Sequence, residues 1–172
     1  MKSTLLLVTS LLYGLSSGAQ DTLYTSSENV RLHHYHLVKT TILWNNVVKC
    51  KTLEGPGFHF EKDSLFLIQS KMKIIRFYQY QPVTLFYADS SICLFNTTSG
   101  NGFKNNPIRY TYYFSKQLNG PIHTFTLNNL FLLYPSAVNE LLAFIHLPDT
   151  ALAIWDDRFQ QPRIAFLLQH IH

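Results

Sequence analysis

The residues whose types and spacing could do chemistry lie near the two ends of the chain. His33, His34 and His36 put two imidazoles on one face of an extended segment, and His170 and His172 repeat the spacing. Paired imidazoles suit a metal, but no cysteine or carboxylate completes either set in sequence. They therefore read as solvated or stacked histidines, and the metal expectation is none. Asp156 and Asp157 are adjacent carboxylates in a stretch that reads as a turn, not an acid pair. The sequence contains no nucleophile elbow, zinc-helix motif, Gly-rich phosphate loop or paired-carboxylate motif. The expectation is a protein that is not an enzyme and uses no cofactor.

The two cysteines, Cys50 and Cys93, raise a question of compartment. Residues 1–19 carry Lys2, an apolar run from Leu5 to Leu15 and small residues ending at Ala19, the order of a secretory signal peptide. Residues 20–172 then form one exported domain in an oxidising compartment, where Cys50 and Cys93 either pair with each other or are both free. The sequon at Asn96, Asn96-Thr97-Thr98, fits glycosylation on that route. No later segment offers some twenty uncharged apolar residues, so no membrane span is expected. A net charge of +4, from scattered bases, argues against a nucleic-acid partner.

The elements that must position these residues are mostly strands. From about 34 to 115, β-branched and aromatic residues come in short runs cut by turn residues: HYHLVKTTI, VVKCKTLE, DSLFLIQS, KIIRFYQYQ closed by Pro82, TLFYAD, ICLFNT and IRYTYYFS. Alternation turns Val48 and Cys50 inward against Lys49 and Lys51, and places Tyr78 and Tyr80 on one strand face. Six or seven strands at this spacing predict an antiparallel barrel or sandwich. The segment DTLYTSSENVRLHH before them holds a short helix or an extended arm. After Lys116 no lysine follows and the texture changes. Val138, Leu141, Leu142 and Ile145 are spaced as a helix face ending at Pro148, and the remainder gives one or two further strands.

Three stretches, in order, resemble the tick salivary lipocalins, the family that includes the histamine-binding proteins. They are YHLVKTTILWNNVVKCKTLE, IIRFYQYQ and FYADSSICLF, within roughly residues 30 to 115. The resemblance implies an all-β, mainly antiparallel fold: a lipocalin-like eight-stranded up-and-down barrel with an outer helix. Whether residues 117–172 close that barrel is left open. It also implies a secreted, extracellular monomer that binds and sequesters a small host mediator in its lumen. The family's aromatic wall matches Trp44, Tyr78 and Tyr80, with Tyr110 and Tyr112 replacing residues of its signature strand; these five are the expected ligand-binding residues. The same rings could instead fill the core.

The departures narrow the ligand. In the family, the counterparts of Cys50 and Cys93 pair with later cysteines, and none follows Cys93 here. The interval between the two cysteines looks shorter than usual, as though a strand were missing between Gln81 and Thr84. Amine-binding members place an acid after the hairpin cysteine and another on the next strand, where this chain has Leu94 and the run Tyr110 to Tyr113. A buried amine without a carboxylate is costly. A fatty acid or leukotriene therefore fits better than a biogenic amine. The alternatives are a secreted interaction protein acting on a host protein through its surface, or a defective, non-binding copy.

Overall fold

The computed structural model describes residues 21–42, 47–51, 57–70, 73–100 and 102–171. The chain divides into two compact units, residues 1–85 and 86–172. Trp44, His172 and residues 1–19, expected to be a signal peptide, lie outside the described residues.

The first unit is built from strands: β1 (Asp21–Tyr24), β2 (His36–Ile42), β3 (Val47–Lys51), β4 (Phe58–Glu61), β5 (Leu67–Ser70), β6 (Lys73–Tyr78) and β7 (Gln81–Ala88), the last running on into the second unit. Their order is β7-β6-β5-β1-β2-β3-β4, and neighbouring strands pair antiparallel. The ladder explains the core. Leu23 lies opposite Ile68 and His36, Val48 opposite Phe60, and alternation puts Leu23, Val38, Val48, Cys50 and Ile68 together in one buried cluster. Burying each such aliphatic side chain is worth about 1.5–3 kcal/mol. Between β1 and β2 the chain forms a short helix, α1 (Ser27–Arg31), so the segment expected to be helix or arm is both a strand and a helix. Ser26 caps it by accepting from the Asn29 amide at 3.0 Å, and Val30 buries its inner face.

The second unit starts from a hairpin. The end of β7 turns through Asp89–Ile92 into β8 (Cys93–Ser99), which pairs residue for residue with β9 (Arg109–Ser115), and β10 (His123–Thr124) adds two residues more. Helices then cover the sheet: α2 (Leu127–Leu133), α3 (Val138–Leu142) and α4 (Arg163–Gln169), with a small hairpin of β11 (Trp155–Asp156) and β12 (Gln161–Pro162). Leu94 and Phe114 face each other across the ladder, and Leu130, Leu141, Leu152, Ile164 and Ala165 pack with them in one fully buried cluster. Thr126 caps α2 by accepting from the Asn129 amide at 3.2 Å.

The class is thus mainly antiparallel β, as expected, with 41% strand and 26% helix. The large sheet is open: its strand order is linear, and no pairing closes it among the described residues. Residues 117–172 supply mostly helices, not closing strands. The helix expected to run to Pro148 ends at Leu142, leaving Ile145 exposed, because Leu141 alone of the apolar four is fully buried. The expected break at Pro82 is also corrected. Strand β6 stops at Tyr78, Gln79 and Tyr80 form a two-residue turn, and β7 carries Pro82 near its start, where a missing N–H is tolerated. Gln79 and Tyr80 both take positive φ, 48° and 64°, so Tyr80 does not share a strand face with Tyr78. Among the described residues no helix is long and apolar enough to cross a membrane.

Candidate functional site

The first unit holds a cavity of about 390 Å³ at the hairpin end of β6 and β7. Its lining brings together Lys62, Phe66, Arg76, Phe77 and Tyr80, with Leu65 and Gln79. Lys62 comes from a 3-10 turn, Lys62–Ser64, that follows β4 and is closed by the Ser64 hydroxyl donating to the Glu61 carbonyl at 2.7 Å. Arg76 comes from the middle of β6, where it lies opposite Leu67 and Val83. Both cations are only 6% exposed. The Arg76 guanidinium sits 4.3 Å from the centre of the Phe66 ring, a contact worth about 0.5–2 kcal/mol. Among the described residues no ion pair joins Lys62 to a carboxylate, and the lining contains none. Two desolvated positive charges beside aromatic walls make a receptacle for an anion with an apolar body.

The second unit holds a different polar centre. Asp89 Oδ1 accepts from the Ser91 amide at 2.7 Å, the Ser91 hydroxyl at 2.7 Å and the Ile92 amide at 2.8 Å. Asp89 Oδ2 accepts from the Tyr87 hydroxyl and the Gln169 amide, each at 2.8 Å. Tyr87 also lies 3.1 Å from the Gln161 side chain, which donates to Gln169 at 3.2 Å. Burial opposes the Asp89 charge, but the bonds from Ser91, Ile92 and Tyr87 outweigh it and hold the carboxyl below its ordinary range. Burial, then Asp89, push the Tyr87 phenol well above its own. A carboxylate so fully engaged has no lone pair left to act as a base. The centre ties a hairpin to a distant helix.

The expected site residues are dispersed. Tyr80 lines the first cavity and is about half exposed. Tyr78 is half-buried at the end of β6 and is not among the lining residues. Tyr110 and Tyr112 lie in the second unit on β9, stacked at 6.3 Å, and line neither cavity described here. Asn96 sits mid-strand in β8, half-buried and opposite Tyr112. Cys50 and Cys93 are both buried and in no disulfide. Burial, then Asp21, push the Cys50 thiol up to about 11.

Of the histidines expected to share a strand face, His36 opens β2 but His34 lies in the link before it, and His33 takes positive φ after α1. His170 ends α4, its Nδ1 2.7 Å from the Phe166 carbonyl. Among the described residues no group of three or more His, Cys, Asp or Glu is placed to hold a metal ion.

Sequence reasoning missed Lys62 and Arg76. Alternation in KIIRFYQ could have marked Arg76 as a base facing away from Ile75 and Phe77; Lys62 carries no such signal. Compared with known proteins, the chain matches no family model, no curated protein and no solved structure.

Proposed function

We propose that the protein is a secreted, non-enzymatic binding protein of lipocalin type that sequesters a small amphipathic anion, a fatty acid or leukotriene-like host mediator. The observation that carries this reading is the pair of buried cations, Lys62 and Arg76, lining one aromatic cavity that contains no acid. A carboxylate head would pair with the two cations while its chain lies on Phe66, Phe77 and Tyr80. The volume falls within the range of small-molecule sites, about 300–1,000 Å³. An amine is disfavoured here for the same reason, since it would meet two like charges and no counter-ion. Leu94, fully buried in the second unit, adds none at the position where amine binders have an acid.

Titration of the purified chain with oleate and with oleyl alcohol, followed by native mass spectrometry, tests the reading. Oleate should bind at least about tenfold more tightly than the alcohol, and Lys62→Gln should remove most of that preference. Equal affinity for both, or no binding by a folded sample, would sink it.

A further inference from the structure

The second unit has a cavity of its own, about 470 Å³, between the β11–β12 hairpin, α3 and α4. Its floor is Phe144, Phe159, Phe166 and Leu167; its rim carries Arg158 and Arg163. The rings are already organised for stacking. Phe159 and Phe166 lie with centroids 3.7 Å apart and planes 20° from parallel, and His170 continues the row at 4.2 Å from Phe166. Phe159 remains 43% exposed, and the Arg158 guanidinium lies 5.7 Å from the centre of its ring, so the row ends where an aromatic surface and a cation meet.

Asp156 is the acid beside the arginines, its side chain only 10% exposed. It accepts from the Arg158 amide at 3.1 Å and meets Arg158 Nε at 3.5 Å and Arg163 Nε at 3.6 Å. Around Asp156 one carboxylate thus meets two guanidinium groups, each at its Nε. Their planar donor forks match a further carboxylate better than an ammonium would. Glu140, the other acid of the lining, stands apart on α3 and in no ion pair with a described residue.

We infer that this cavity is a second binding site, selective for aromatic acids, in which a planar ring extends the Phe159–Phe166–His170 row and its carboxylate bridges Arg158 and Arg163. The site is independent of the fatty-acid reading of the first unit, because it uses none of the same residues.

Calorimetric titration of the full chain with 2-naphthoate, 2-naphthylmethanol and 2-naphthylmethylamine tests it. The acid should bind at least about tenfold more tightly than either analogue. The double variant Arg158→Gln/Arg163→Gln should abolish the preference, and Lys62→Gln should leave it unchanged. Arg158→Gln alone, at an 82% exposed side chain that folding does not depend on, should still weaken the acid about threefold or more. The inference is overturned if the alcohol or the amine binds as well as the acid. It is equally overturned if the arginine variants keep the preference, or if Lys62→Gln removes it.

Discussion

The two units spend their polar groups differently. In the first, the buried cations Lys62 and Arg76 come from neighbouring elements, a turn and the strand pair that follows it, and they face a cavity. In the second, the half-buried carboxylate of Asp89 is engaged by donors up to 80 residues away and lines neither of the two cavities. A buried charge that lines a cavity points to a ligand; a charge engaged by its own chain away from any described cavity points to architecture. By that criterion the first unit offers binding chemistry at its polar centre. The second offers it only at the arginine rim of its apolar cleft.

The comparison can be broken most forcefully in the cores. Phe114→Ala removes the ring at the centre of the second unit's cluster and should cost about 3–5 kcal/mol in chemical denaturation. Ile68→Val in the first should cost only about 0.5–1.5 kcal/mol. A smaller loss from Phe114→Ala than from Ile68→Val would show that the helices do not pack on the sheet.

Next in size is Asp89→Ala, which strands two backbone amides and should cost about 2–4 kcal/mol. The pH dependence follows from the sign of the shift. The folded carboxyl titrates below its ordinary value, so the unfolded chain binds the proton more readily. This contribution is fully present above the unfolded carboxyl value of about 3.9 and is lost as pH falls through the lower folded value. The stability gap between the wild type and Asp89→Ala should therefore close in acid; a gap that widens there would contradict the hydrogen-bond assignment.

A gain is expected at the β6–β7 turn. Two adjacent non-glycine residues at positive φ are strained, and Gln79→Asn with Tyr80→Gly should stabilise the first unit by about 1–2 kcal/mol while weakening oleate binding. Stability and binding moving together would instead remove Tyr80 from the cavity wall. Smallest are the helix caps. Ser26→Ala and Thr126→Ala should each cost about 1 kcal/mol, one in each unit, as read by thermal melts.

What the sequence made legible was local. The alternation that turns Val48 and Cys50 inward survives in the core, and Asp89-Ser90-Ser91 reads as a turn because an Asp side chain can bond the amides just after it. Gln169 and Gln161 carry no such mark: a glutamine's partner is set by tertiary placement, not by spacing. The turn at Gln79-Tyr80 was invisible for the opposite reason, since positive φ there normally announces itself with glycine or asparagine. Helix α4 was missed because RIAFLLQ is short and nearly all apolar, so its period cannot separate helix from strand. The expected aromatic residues were noticed by type, but of the described ones only Tyr80 lines the first cavity. The cations that give that cavity its chemistry had no pattern in common.

The bond between Gln169 and Asp89 also sets an order of events. During synthesis Asp89 leaves the ribosome 80 residues before its last donor exists. Tyr134, which donates to the Ser91 carbonyl at 2.9 Å, follows 43 residues behind its own acceptor. The hairpin forms its local bonds first and gains the Tyr134 and Gln169 bonds only once those residues have emerged, which makes completion of this unit a late and non-local step. Until the helices of this unit have emerged, the apolar face of the hairpin, Leu94 and Phe114 among it, stays uncovered.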